Sequence, residues 1–192
     1  MIYSDKNVPY AFIHNPRTSG TTLTNYFLWR GATRLTDSNH DTYNEASKIF
    51  NFDNYYTFGF VRNPFSREVS LYNLVLTNSG RDISFEEWVH SRHEVDNPRS
   101  WLVMPQIDYF CDSNREIKAN IFKFEDRKDS IRTISDILQF PYEQLINYVP
   151  IIDSPKSPPG IDYRSYYTSR TFDILSYKYK IDLDTFGYTF DS

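Results

Sequence analysis

The chain has 192 residues, 40% of them hydrophobic and 24% charged, which is enough to build a packed core and too apolar for a disordered chain. A net charge of −4 excludes a nucleic-acid binder that relies on bulk attraction to phosphates, so any anion site has to be local. The single cysteine, Cys111, rules out an internal disulfide, and no Cys/His cluster has metal-ligand spacing.

Residues 1–15 lack the basic region and long apolar stretch of a secretory signal, and nowhere do about 18 apolar residues run together. The expectation is a cytoplasmic chain without a membrane span. The first strand signal is the apolar run Tyr10–His14, followed by helical character over Thr21–Arg30. Polar, Asn/Asp-rich sequence continues to about Asn44. Tyr55–Arg62 is aromatic and β-branched enough for a second strand. Asn63 can then cap a helix and Pro64 suits its first turn, with Phe65, Val69, Tyr72 and Leu76 recurring on a core face.

Ser84 and Glu87 form a capping-box pattern that opens a helix to about His93, broken by "DNPRS". Ala119–Asp126 is the third strand candidate, and the helix after it turns Ile131, Ile134, Ile137 and Leu138 inward. "FPYEQL" punctuates that helix, Ser154–Gly160 ("SPKSPPG") is a loop, and a last helix spans Thr168–Lys180. Strands alternating with helices predict an α/β domain over residues 1–192, three-layered, with a central parallel sheet flanked by helices. The 16 Tyr and 15 Phe could serve as stacking surfaces, but filling the core and its margins is the simpler use.

The stretch "FIHNPRTSGTT" joins the first strand to the first helix. Backbone N–H groups at a helix N-terminus and the helix dipole favour negative charge. Gly20 allows close approach, Thr18, Ser19, Thr21 and Thr22 offer hydroxyls, and Arg17 is a permanent cation. Read alone, this pattern fits a structural turn equally well, and it lacks the Gly-Lys-Ser/Thr of a Walker loop. The second stretch, "FVRNPFSREVSLY", places Arg62 at the carboxyl end of a strand and Ser70 on the next helix. That strand edge is where open parallel sheets hold ligands.

Together these residues resemble the sulfotransferase family. "FIHNPRTSGTTL" is similar to its 5′-phosphosulfate loop and "FVRNPFSREVSLY" to its 3′-phosphate motif, with the carbohydrate (Golgi-type) enzymes and the glycosaminoglycan 2-O-sulfotransferase group as the nearest likeness. "MPQIDYF", "IFKFED" and the terminal "YRSYYTSRTFDILSYKYKIDLDTFGYTF" continue the resemblance in order along nearly the whole chain. It implies a P-loop-like domain and the donor 3′-phosphoadenosine 5′-phosphosulfate (PAPS), leaving 3′-phosphoadenosine 5′-phosphate (PAP), with no metal. By resemblance, Arg17, Thr18, Ser19, Gly20, Thr21 and Thr22 hold the 5′-phosphosulfate. Arg62 and Ser70 hold the 3′-phosphate, Arg67 braces the loop, and Lys156 and Arg164 belong to a late segment that closes over the donor.

The acceptor would be a hydroxyl, expected on a carbohydrate. The family has Lys where this chain has Arg17, which stays charged and cannot give up a proton near neutral pH. His40 is the favoured general base, with Glu45 next; His14 is expected as a buried strand-end residue, and His90 and His93 as surface or acceptor-site residues. Gln106 matches a family position. Trp29, Trp88 and Trp101 could stack on a sugar, with core packing as the default. Two other readings remain open: a non-catalytic nucleotide- or glycan-binding homologue, and a P-loop nucleotide kinase.

Overall fold

Tyr10–Ile13 and Tyr56–Val61 are short apolar and aromatic runs, and both become strands with almost every residue buried. Strands covered on both faces are what a parallel sheet needs, because its crossovers lay further elements on it. In the computed structural model, which describes residues 1–5, 7–38, 40–80, 82–94, 103–148 and 162–192, the elements follow in order. They are β1 (Ile2–Ser4), β2 (Tyr10–Ile13), α1 (Gly20–Trp29), β3 (Thr33–Arg34), α2 (Tyr43–Ala46), β4 (Tyr56–Val61), α3 (Pro64–Ser79) and α4 (Phe85–Val89). A π-helical turn (His90–Glu94) and a 3-10 turn (Gln106–Tyr109) come next. Then follow β5 (Asn120–Lys123), α5 (Arg127–Leu138), α6 (Tyr142–Tyr148), a second 3-10 turn (Tyr163–Tyr166), α7 (Ser169–Lys178) and α8 (Lys180–Phe186). They fall into two compact units, Met1–Val61 with Gln106–Ile151, and Arg62–Pro105 with Ile152–Ser192.

The first unit contains the sheet, in the order β3-β1-β2-β4-β5. The expected strands β2, β4 and β5 are parallel, with Phe12 opposite Phe58 and Phe58 opposite Asn120, so their carboxyl ends share one edge. The sheet is not wholly parallel, however. β1 and β3 add an antiparallel side, Ile2 pairing with Phe12 and with Arg34. The short connection of residues 5–9 fixes the β1–β2 pairing as antiparallel, because a parallel crossover takes a dozen residues or more. The fold is α/β and P-loop-like, with a mixed rather than purely parallel sheet.

On one sheet face Tyr10, Phe12, Phe58 and Phe60 meet Leu23 and Phe27 of α1, Ile131, Ile134 and Leu138 of α5, and Leu145 of α6. Phe12, Phe27 and Phe58 pack against one another, tilted or edge-on, at ring separations of 5.3–5.9 Å. Much of the aromatic content is therefore core. A side chain at Gly59 would lie 2.4 Å from the Phe110 ring and 2.8 Å from the Ile13 carbonyl oxygen, so this strand position must be glycine for Phe110 to pack.

In the second unit Asn63 caps α3 as expected, accepting from the Phe65 N–H, with Pro64 in the first turn. The Ser84–Glu87 box also forms, but the α-helix it opens ends at Val89 and continues as the π turn. The last expected helix forms as α7, and a further short helix, α8, follows it after a break at Tyr179, whose side chain is fully buried. Phe65, Val69, Leu71, Tyr72, Phe85, Trp88, Val89, Leu175 and Tyr179 form this unit's core.

Candidate active site

The segment between β2 and α1 is built on two non-glycine residues in the left-handed region, Arg17 at φ 69° and Ser19 at φ 65°. Such residues cost about 1–2 kcal/mol each relative to ordinary backbone and persist only where neighbours hold them. The holding contacts are visible. Asn15, fully buried, donates through Nδ2 to the Phe60 carbonyl and to Gln106 Oε1, each at 2.9 Å. Thr18, buried as well, donates to the Asn15 carbonyl at 2.8 Å. Left-handed residues separated by one of negative φ turn successive N–H groups toward a common point, the anion-binding concavity called a nest.

Apart from the close ligand approach expected of it, Gly20 is required by its neighbours. A Cβ there would fall 1.8 Å from His14 Cδ2, so the imidazole occupies that space. Ser19 stands at the N-cap of α1 yet makes no capping hydrogen bond, and the first turn carries no acidic residue. Its hydroxyl accepts instead from Arg127 Nη1 at 2.9 Å. The helix dipole and first-turn N–H groups thus meet no capping side chain, the condition in which a helix end attracts an anion. Arg17 and Thr22 are half-buried around this turn and Thr21 is exposed.

His40 lies against the start of the loop. Its ring centre is 4.4 Å from that of His14, and Nδ1 is 3.0 Å from the His14 carbonyl oxygen. A carbonyl can only accept, so Nδ1 carries the proton and Nε2 is the basic nitrogen. His14 itself is lowered to about 3, by burial first and then by the neighbouring His40, and stays neutral at physiological pH. Glu45, the second base candidate, accepts from the Thr42 N–H and hydroxyl at 2.9 Å each and closes the capping box of α2.

In the second unit, Arg62 is half-buried and donates through Nε to Ser66 Oγ at 2.9 Å. Arg67 is buried with Nη1 3.4 Å from the Met104 carbonyl, as a bracing residue would be, and Ser70 is fully buried two turns into α3. Arg164 is paired with Asp162 and Asp191 and lies over the Tyr163 ring. Lys156 and Trp101 lie outside the described residues. Trp88 is buried in the core, and His93, expected at the surface, has a side chain wholly enclosed against Glu68. Trp29 is exposed but stands at the far end of α1, about 14 Å from Gly20 at 1.5 Å per residue, too far to stack on a sugar at the loop.

Asn15 and Arg127 were not singled out from the sequence. Asn15 lay inside the loop motif and could have been suspected of bracing it; Arg127 reads like any charged residue at the start of a helix. Among the described residues no group of three or more His, Cys, Asp or Glu could hold a metal ion, and no helix is long and apolar enough to cross a membrane.

Comparison with curated proteins and with solved structures gives no significant match. The profile of the sulfotransferase family, in contrast, matches residues 4–189, a span that includes the braced loop, Arg62 with α3, and the terminal helices. The chain therefore belongs to the sulfotransferase family.

Proposed function

We propose that the chain, acting as one sulfotransferase-like domain over residues 1–192, moves a sulfuryl group from PAPS to a carbohydrate hydroxyl. The observation that carries this reading is the loop Asn15–Thr22, whose strained, internally braced backbone ends in an uncapped helix. Such a cradle suits the 5′-phosphosulfate, with Arg17, Thr18, Ser19, Gly20, Thr21 and Thr22 around it. The 3′-phosphate falls to Arg62 and Ser70, as in the family motif, with Lys156 and Arg164 assigned to the closing segment on the same ground. Arg164 would have to leave its two carboxylates to join it.

In the transfer, the bond between sulfur and the bridging oxygen breaks as the acceptor oxygen bonds to sulfur. Negative charge grows on the bridging oxygen, where Arg17 acts as a fixed cation and hydrogen-bond donor. The acceptor proton passes to His40 Nε2, the nitrogen left basic by the carbonyl contact at Nδ1. PAP leaves with the charge. Because Arg17 and backbone N–H groups neutralise the donor, no metal is required.

Calorimetry with PAP and AMP, in the presence of EDTA, tests the donor. Wild type should prefer PAP, and Arg62→Ala should lose that preference, a change of roughly 2–3 kcal/mol for a charged hydrogen-bond partner. Equal affinity of the wild type for PAP and AMP, or a strict need for Mg²⁺, would exclude PAPS as the donor.

A further inference from the structure

Arg127 opens α5 and is only 5% exposed, an uncommon position for a guanidinium. Its central carbon lies 4.6 Å from the centre of the Phe124 ring, and Nη1 donates to Ser19 Oγ at 2.9 Å. A serine at an N-cap ordinarily turns its oxygen to the N–H two or three residues on. Thr42, Ser84 and Thr168 in this chain do so for α2, α4 and α7. Ser19 alone of these four hydroxyl N-caps makes no such bond, because it stands in the left-handed region at φ 65° where the other three are extended.

From this juxtaposition we infer that Arg127 is a positioning residue for the donor's 5′ end. Its hydrogen bond pins the Ser19 hydroxyl, and with it the left-handed backbone that leaves the first-turn N–H groups of α1 to an anion. Its guanidinium adds a fixed positive charge behind the loop. It acts through Ser19 and the backbone and does not take part in transfer. The inference rests on the reading of the loop as the 5′ site of the donor.

The test compares binding of PAP and of adenosine 3′-phosphate, which lacks the 5′ group. Arg127→Met should weaken PAP about tenfold or more while leaving adenosine 3′-phosphate unchanged, and Arg127→Lys should recover part of the loss. In Arg127→Met the Ser19 hydroxyl loses its donor, and the left-handed backbone at Ser19 can relax. Adding Ser19→Gly, which takes the left-handed conformation without strain, should therefore restore some PAP affinity, which a merely structural role for Arg127 would not produce. Ser19→Ala alone, which removes the acceptor of a buried guanidinium donor, should weaken PAP more than adenosine 3′-phosphate, and this readout stands even if the Arg127 variants do not fold. Wild-type PAP preference in Arg127→Met, equal weakening of both ligands there, or wild-type PAP preference in Ser19→Ala would overturn the inference. A wild type that does not distinguish the two ligands defeats the donor reading itself, and the inference with it.

Discussion

At Arg17 two demands coincide. The residue takes a left-handed conformation that glycine would adopt more readily, and it supplies the cation nearest the middle of the loop motif. Arginine in place of the family lysine keeps a permanent charge and a planar set of donors but offers no transferable proton near neutral pH. Arg17→Lys should keep donor binding within a few-fold and preserve or raise turnover. Arg17→Ala should slow single-turnover transfer by about 10²-fold or more, well beyond its effect on binding, as for other preorganised donors to a developing charge. Equal single-turnover rates for wild type and Arg17→Ala would remove the residue from the chemistry. His14 was legible as buried, but its contact with Gly20 was not, since residues six apart in a loop have no fixed spatial relation in the sequence.

Among the elements, α3 carries the most consequential buried charge. Glu68 is fully enclosed and accepts from Trp88 Nε1 at 2.6 Å and from the Tyr179 hydroxyl at 2.8 Å, with His93 Nε2 3.1 Å away. Burial pushes this carboxyl up, but His93 and the hydrogen bonds together hold it below its usual range. The group is therefore ionised at neutral pH. Its folded pKa is the lower one, so its contribution to stability is complete above the ordinary carboxylate range and fades as pH falls through it. His93→Leu strips a partner from a buried charge and should cost about 3–5 kcal/mol in urea unfolding, against about 1–3 kcal/mol for Tyr179→Phe. A loss under about 1 kcal/mol for His93→Leu would mean that the carboxylate is not held by this pair. None of this was visible beforehand, because His93 falls where a surface helix was expected and the π turn that rotates it inward has no sequence signature.

For the molecule as a whole, sequence and structure agree wherever long patterns carry the signal. The parallel strands β2, β4 and β5, the Asn63 cap and the apolar faces of α3 and α5 each combine propensity, periodicity and a stop signal. β1 and β3 were missed because they are short, and their pairing depends on a neighbouring strand rather than on their own residues. The loop motif pointed to an anion site; the positive φ of Arg17 and Ser19, the Asn15 brace and the Arg127 contact required coordinates. Membership of the sulfotransferase family makes sulfuryl transfer to a hydroxyl the chemistry to measure. The direct measurement is transfer of labelled sulfate from PAPS to a panel of glycans, with PAP release followed in parallel. The account predicts labelled product on at least one glycan with equimolar PAP, and its loss in His40→Ala and Arg17→Ala. Tight PAP binding by a wild type and an Arg17→Lys variant that label no acceptor would contradict it and mark the chain as a binding homologue.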